Sequence, residues 1–212
     1  DSSTSRGLGD VYKRQAVLIK DGYIVKEKHA KGFDKNSYGT SWSTAKSFYA
    51  ALIGISLDKG EIQSLDEPVG NYIDSYNRDG KEDITIRQIL NMTSGLEFPS
   101  HEHEMMFFEE NHLEYALEVG VESTPGEKFQ YNNVNSMLMG EILKSATGKT
   151  AKELIEERIF SQIGIRDYTA WEDSAGHTLT YCCLDMSARD YSKFGLLFSR
   201  DGRCCLLYTS PS

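Results

Sequence analysis

Apolar side chains recur at helical spacing through most of this chain, and a glycine follows each such stretch. Apolar residues three or four positions apart share one face of a helix, so each stretch predicts a helix with one buried face. Glycine commonly ends a helix because it adopts the left-handed conformation without steric cost. Six helices are predicted, over 48–57, 86–90, 113–117, 134–143, 154–160 and 191–198, ending before Gly60, Gly95, Gly120, Gly148, Gly164 and Gly202. Thr150 is expected to cap the fifth.

One β-hairpin is predicted before these helices. Two short apolar runs in residues 17–25 flank Asp21-Gly22, a pair that tolerates positive φ at both turn positions. A lone hairpin is marginal in water, so other strands must complete a sheet. None is evident downstream, and we expect them beyond residue 204. The predicted fold class is α/β, as an α+β sandwich of an antiparallel sheet and a helical lobe, present here in truncated form.

Charge and hydrophobicity exclude several classes of protein. The net charge is −9, which disfavours a nucleic-acid partner because phosphate contacts need clustered Lys and Arg. The longest uncharged apolar stretch, residues 47–57, is far shorter than the roughly 18 residues of a membrane span. With 26% charged residues and 4 prolines, the composition argues against global disorder.

Both ends of the chain resemble translated sequencing-adapter DNA. Residues 10–15, DVYKRQ, and residues 205–210, CLLYTS, correspond to a transposon end read in opposite orientations. We therefore expect residues 1–15 and 205–212 to be non-native, and residues 16–204 to be one partial domain.

Two adjacent cysteines, Cys182 and Cys183, lie within this partial domain. Neighbouring residues are too strained for an ordinary disulfide, and the pair lacks metal-ligand spacing. We expect them to be buried thiols that behave as small hydrophobes.

Ser43 and Lys46 form a Ser-x-x-Lys motif. Residues three apart on a helix share a face, so the amine can lie beside the hydroxyl and take its proton. Ser56 and Lys59 have the same spacing, but Ser56 is expected on an exposed turn at a helix end. Ser43 instead begins an apolar helix, whose N-terminal dipole favours negative charge on oxygen. A helix-capping serine is the alternative for Ser43.

Tyr131 and Asn133 form a Tyr-x-Asn motif after the turn at Pro125-Gly126. A phenol near an ammonium can act as a base, and the amide can orient the lysine or a substrate. A half-buried aromatic and a helix N-cap are the alternatives for these two residues taken singly.

Four segments together resemble the serine β-lactamase-like hydrolases. These are SWSTAKSF, ITIRQILNMTSGLEF, PGEKFQYNN and SARDYSKFGLLF, in that order. The nearest branch comprises class C β-lactamases, esterases and 6-aminohexanoate-oligomer hydrolases. The family's third motif, Lys-Thr-Gly or His-x-Gly on a strand that supplies an oxyanion-hole amide, is absent. We expect it beyond the end of the chain.

The resemblance implies a serine hydrolase that cleaves a small or peptide-like amide or ester. Ser43 is the implied nucleophile, Lys46 and Tyr131 the proton-transfer residues, and Asn133 a substrate-binding residue. No cofactor or metal is implied, and the family suggests a periplasmic or extracytoplasmic location. We expect the chain as given to be inactive without the third motif. The alternative function is a non-catalytic binding or sensor domain, which the presence of all three catalytic residue types disfavours.

Three further features are interpreted as structural. Residues 147–150, TGKT, echo a phosphate-binding loop, but the required first glycine is replaced by Leu143. Residues 101–104, HEHE, are expected to form a solvated loop rather than a metal site. Trp42 is expected to be a packing residue rather than a platform for substrate.

Overall fold

A computed structural model of the chain describes residues 14–98 and 105–203. These residues form two compact units. The first comprises 14–41, 159–169 and 184–203, and the second comprises 42–98, 105–158 and 170–183. The HEHE segment, the CLLYTS segment and residues 1–13 lie outside the described residues, so the predictions made for them stay predictions.

The described residues contain five strands and eight α-helices. The strands are β1 (Gln15–Lys20), β2 (Tyr23–His29), β3 (Tyr38–Thr40), β4 (Thr169–Ala170) and β5 (Leu184–Ser187). The helices are α1 (Ala45–Asp58), α2 (Ile86–Leu90), α3 (Met105–Phe108), α4 (His112–Glu118), α5 (Asn133–Thr147), α6 (Ala151–Ile155), α7 (Ser161–Ile163) and α8 (Ala188–Ser199). Short 3₁₀ turns occupy Trp42–Thr44, Val69–Asn71 and Asp74–Asn77, and a π turn occupies Glu156–Phe160.

The predicted hairpin is confirmed in the first unit. Strands β1 and β2 pair antiparallel, and the Lys20–Tyr23 pair closes a two-residue turn. Asp21 and Gly22 have φ of 54° and 85°, the left-handed values that a tight hairpin turn requires. Helix α8 packs on β1.

The described residues also contain strands that the sequence did not indicate. Strand β3 pairs antiparallel with β5, with Tyr38 opposite Ser187, in a sheet of order β3-β5-β4. The expectation that no strand follows the hairpin is therefore wrong. These strands have two to four residues, too few to show the alternation by which a strand is recognised from sequence.

The predicted helices are confirmed, with differences at their ends. Thr150 caps α6 through a capping box with Glu153. The helix predicted over 154–160 is divided between α6 and the π turn. Helix α2 ends at Leu90, before Gly95, because Met92 already adopts a left-handed φ of 58°.

Helix α5 is the centre of the second unit. Helices α1, α2, α4 and α6 all pack against it. Its buried face comprises Val134, Met137, Leu138, Ile142 and Leu143, and the facing side of α1 buries Phe48, Leu52 and Ile53. This packing fixes the N-terminal ends of α1 and α5, which carry the predicted site residues.

Gly95 shapes the loop that leads into α5. Its φ is 76°, and a Cβ atom there would lie 2.1 Å from the carbonyl oxygen of Ser123. Only glycine permits this close approach of two backbone segments. The approach continues along the chain, since Gln130 N donates to Met92 O at 2.8 Å and the Asn132 side chain donates to Glu97 O at 3.1 Å. Tyr131 is thereby held at the start of α5.

Cys182 and Cys183 form a disulfide, which corrects the expectation of two free thiols. Their Cα atoms are 3.6 Å apart. In an extended segment adjacent side chains point to opposite faces, but Cys183 has a φ of 81°, and this turn lets the two sulfurs meet. The predicted burial is confirmed, since both side chains are buried.

Candidate active site

The Ser43 hydroxyl accepts two hydrogen bonds from side chains that the sequence singled out. Ser43 lies exposed in the 3₁₀ turn Trp42–Thr44, directly before α1. Lys46 lies in the first turn of α1, and its Nζ donates to Ser43 Oγ at 3.2 Å. The Tyr131 hydroxyl, 88 residues further along the chain, donates to the same oxygen at 2.6 Å. The side chains of Lys46 and Tyr131 therefore converge on the oxygen of Ser43, which brings three predicted site residues together.

The environment of Lys46 favours the neutral amine. Burial lowers its pKa from the usual lysine range, and the hydrogen bond and charge of Tyr131 only partly oppose this effect. A lowered pKa enlarges the fraction of amine that can accept a proton. Lys46 is thus suited to take a proton from Ser43 or to return one.

Tyr131 shows the complementary shift. Burial alone raises the pKa of a phenol, but hydrogen bonds with Lys46 and Ser43 and the charge of Lys46 outweigh it, so the pKa of Tyr131 is lowered. Lys46 Nζ also lies 5.1 Å from the centre of the Tyr131 ring. The two groups titrate as a pair, so either can hold the proton that leaves Ser43.

Asn133 is the first residue of α5, one position after the residue that caps the helix. The cap is Asn132, whose side chain accepts a hydrogen bond from Val134 N. Within the described residues, Asn133 Oδ1 is buried and accepts no hydrogen bond. The capping role, which was the alternative for Asn133, therefore belongs to Asn132.

The backbone of Tyr181 supplies a contact that sequence reasoning missed. Its carbonyl oxygen accepts a hydrogen bond from Lys46 Nζ at 2.6 Å. The two residues are 135 positions apart. A backbone carbonyl has no residue-specific signal, so no pattern in the sequence could have indicated this partner.

A family model described as Beta-lactamase matches residues 9–202. The chain belongs to the Beta-lactamase family. The D-aminopeptidase of Brucella anthropi is 25% identical over 176 residues, which make up 75% of this chain and 33% of that protein. The chain thus spans about a third of this curated relative. The protein flp of Staphylococcus aureus is 23% identical over 185 residues. The matched region makes up 80% of this chain and 37% of that protein.

Solved structures confirm the predicted fold. A candidate 6-aminohexanoate-dimer hydrolase from Bacillus anthracis superposes with a TM-score of 0.84 at 23% identity, over 94% of this chain and 57% of that one. A class C β-lactamase from Rhodobacter sphaeroides superposes with a TM-score of 0.71 at 15% identity, over 97% of this chain and 66% of that one. The β-lactamase-family chain therefore has a β-lactamase/transpeptidase-like mixed α/β fold and covers part of it.

The second Ser-x-x-Lys pair of this β-lactamase-family chain differs from the expectation. Ser56 is fully buried rather than on an exposed turn. Its hydroxyl accepts from Arg158 Nη1 at 3.0 Å, and Arg158 pairs through two bonds with Glu61. The expectation is wrong because α1 continues to Asp58, so Ser56 lies inside the helix on its packed face.

Two exposed aromatic residues lie close in sequence to the predicted site residues. Trp42, directly before Ser43, is 61% exposed, which does not fit the expectation of a packing residue. Its φ of 46° turns the chain just before Ser43. Phe129, two residues before Tyr131, is 68% exposed.

The TGKT segment has a structural role in the described part of the chain. Gly148 of the TGKT segment is the left-handed C-cap of α5, and Lys149 pairs with Glu157. Within residues 14–98 and 105–203, no three His, Cys, Asp or Glu side chains are grouped as metal ligands. Nor does the described part of the chain include a helix long and apolar enough to cross a bilayer.

Proposed function

We propose that the protein is a serine hydrolase that cleaves amide or ester bonds through an acyl-enzyme on Ser43. The convergence of Lys46 Nζ and Tyr131 Oη on Ser43 Oγ carries this proposal. A nucleophile within hydrogen-bond reach of a base is the arrangement that covalent acyl transfer requires. An exposed Ser43 is also accessible to a carbonyl compound.

In the first step Ser43 Oγ attacks the substrate carbonyl carbon, and its proton passes to the Lys46–Tyr131 pair. The carbonyl π electrons move to oxygen, forming a tetrahedral oxyanion. Its collapse breaks the bond to the leaving amine or alcohol, which takes the proton back from the pair. Water then attacks the acyl carbon of the Ser43 ester and gives a proton to the same pair. The bond from that carbon to Ser43 Oγ breaks, Ser43 Oγ takes the proton back from the pair, and the acid leaves.

The oxyanion needs hydrogen-bond donors. The backbone amide of Ser43 is the donor that this chain offers, and a second is expected from the Lys-Thr-Gly or His-x-Gly strand. Loss of one such donor costs about 10²–10³ in rate. We therefore expect turnover in the longest reading frame that contains residues 16–204, and weak or no turnover in the chain as given.

The substrate class is a small amide or ester. One relative is named for D-aminopeptidase activity and one neighbour for β-lactamase activity, and both activities cleave amide bonds. Asn133 is proposed to orient the substrate amide from the start of α5. Trp42 and Phe129 are proposed to contact its apolar parts. A non-catalytic binding domain is the weaker alternative, because it would not require three proton-handling groups around one hydroxyl.

Turnover of a chromogenic ester tests the proposal, in the longest reading frame that contains residues 16–204. Ser43→Ala should lose at least about 10⁴ in kcat, because the nucleophile is gone. Ser47→Ala removes an exposed hydroxyl one turn further along α1 and should retain activity within about twofold, as surface substitutions usually do. Full activity in Ser43→Ala would overturn the assignment.

A further inference from the structure

Tyr181 contacts Lys46 through its backbone carbonyl and His112 through its side-chain hydroxyl. Its carbonyl oxygen accepts from Lys46 Nζ at 2.6 Å, and its hydroxyl lies 3.0 Å from His112 Nδ1. Both side chains are buried, Tyr181 at 3% and His112 at 5% exposure. A buried polar pair of this kind contributes only if both partners remain satisfied. The ring of Tyr181 therefore links His112 to the lysine of the site.

His112 is fixed in turn by a buried carboxylate. Its backbone N–H donates to Asp173 Oδ2 at 2.9 Å. Asp173 also accepts from His177 N at 2.7 Å, and its Oδ2 lies 3.1 Å from His177 Nδ1. The Asp173 side chain has no exposed surface. These bonds anchor the start of α4, on which His112 is the first residue.

The imidazole of His112 is suited to accept the Tyr181 proton. Burial lowers the pKa of His112, even though the Asp173 charge and a backbone contact with Glu109 raise it, so the ring is held neutral. The neutral ring can carry its proton on Nε2, and in that tautomer Nδ1 accepts the proton of the Tyr181 hydroxyl. Burial raises the pKa of Tyr181, so its hydroxyl keeps its proton and donates.

We infer that His112 is a positioning residue for Lys46 and acts through Tyr181. The hydrogen bond from Tyr181 Oη to His112 Nδ1 holds the Tyr181 main chain so that its carbonyl directs Lys46 Nζ at Ser43 Oγ. The inference rests on the proposed function, since it assigns a role within that same site. Neither residue lies in the four sequence segments that resemble the family.

The protein contains a matched control for this arrangement. Tyr76 is also a fully buried tyrosine of the second unit, and its hydroxyl donates to Ala116 O at 3.4 Å. A lysine ammonium lies over each ring, Lys81 at 4.9 Å from the centre of Tyr76 and Lys46 at 5.8 Å from that of Tyr181. Lys81 donates to Leu117 O, away from Ser43. Tyr76→Phe therefore removes an equivalent hydroxyl without touching the site.

Steady-state kinetics on a chromogenic ester tests the inference, in the longest reading frame that contains residues 16–204. Tyr181→Phe and His112→Phe should each lower kcat about tenfold, because each removes the free energy that one hydrogen bond contributes. KM should change less than twofold. The double variant should be no slower than either single variant, because both remove the same bond. His112→Asn should restore most of kcat, since its amide oxygen can accept from Tyr181. Tyr76→Phe should stay within twofold.

Full kcat in both single variants, losses that multiply in the double variant, or an equal loss in Tyr76→Phe would overturn the inference. Ser43→Ala separates this outcome from failure of the proposed function. If Ser43→Ala is inactive while Tyr181→Phe and His112→Phe are fully active, the function stands and the inference fails.

An NMR titration of the Lys46 ε-carbon provides a measurement that does not depend on turnover. A carbonyl acceptor stabilises the ammonium, so displacing it in His112→Phe should lower the Lys46 midpoint by about half a pH unit, a threefold change in its ionisation constant. Tyr76→Phe should leave the midpoint in place. An unchanged midpoint in a folded His112→Phe protein would contradict the inference even if the protein hydrolyses nothing.

Discussion

The two ends of α1 carry the same four-residue spacing in opposite settings. At the N-terminal end Ser43 is exposed, and its oxygen accepts from Lys46 and Tyr131. At the C-terminal end Ser56 is buried, and its oxygen accepts from Arg158. The lysines differ as well, since Lys46 is partly buried and Lys59 is exposed.

The difference shows that the Ser-x-x-Lys spacing defines a geometry and not a site. The same helix brings each lysine one turn from its serine, but only the first serine has a second proton-handling group and access to solvent. The second has a cation, Arg158, whose two bonds to Glu61 make it a structural ion pair. The variants below test this contrast in the protein encoded by the longest reading frame that contains residues 16–204.

Replacing the two lysines should give the largest contrast in activity. Lys46→Met should lower kcat by about 10⁴, because it removes one proton-transfer group and the cation that lowers the pKa of the other. Lys59→Met should leave kcat within twofold of the parent. Ester hydrolysis measures both variants, and equal losses in the two would remove the distinction between the ends of α1.

Tyr131→Phe removes the hydroxyl that donates to Ser43, a tyrosine partner that Ser56 does not have. The change deletes one hydroxyl, so kcat should fall by about 10²–10⁴ if that oxygen transfers a proton. Circular dichroism should show a folded protein, because the ring remains. Normal kcat in Tyr131→Phe would leave Ser43 as nucleophile and transfer the base role to Lys46 alone.

The pH dependence should show which group accepts the proton. Because the pKa values of Lys46 and Tyr131 are both lowered, kcat/KM should rise about tenfold per pH unit and level off below the ordinary pKa of the group that acts as base, about 10 for tyrosine and about 10.4 for lysine. Lys46→Arg keeps the positive charge but cannot lose its proton. A surviving plateau in Lys46→Arg assigns the base role to Tyr131, whereas loss of activity at every pH assigns it to Lys46. A rise that continues above the ordinary range of both groups would contradict the two pKa shifts.

Ser56→Ala should give the smallest effect, and on stability rather than activity. It removes a hydroxyl that accepts from Arg158 and hydrogen-bonds to Glu61, while the two bonds between Arg158 and Glu61 remain. The free energy of unfolding should fall by about 1 kcal/mol, and kcat should not change. Denaturant unfolding beside ester hydrolysis measures both. A loss of kcat without a loss of stability would mean that Ser56 belongs to the site.

Local patterns predicted the helices and the hairpin because their signals are local. The Asp21-Gly22 turn and the capping box of Thr150 depend on residues within three positions of each other. The strands β3 and β5 were missed because three or four residues cannot show a period, and their pairing joins positions about 150 residues apart.

Some features of the candidate site were predicted from the sequence and others were not. Spacing and helix context made Ser43 and Lys46 candidates, and the resemblance of whole segments assigned them, together with Tyr131, to one site. The Tyr181 carbonyl, the burial of Ser56 and the Cys182–Cys183 disulfide follow from tertiary packing and a left-handed turn, which no short pattern encodes. The exposed Trp42 was misjudged because hydrophobicity alone favours burial.

Mapping the covalent adduct tests the central claim most directly. The protein is incubated with a fluorophosphonate probe, digested, and its peptides are sequenced by mass spectrometry. We expect one adduct, on Ser43, with Ser47 and Ser56 unmodified in the same sample. An adduct on any other residue, or an unmodified Ser43 in a preparation that hydrolyses esters, would contradict the acyl-enzyme assignment.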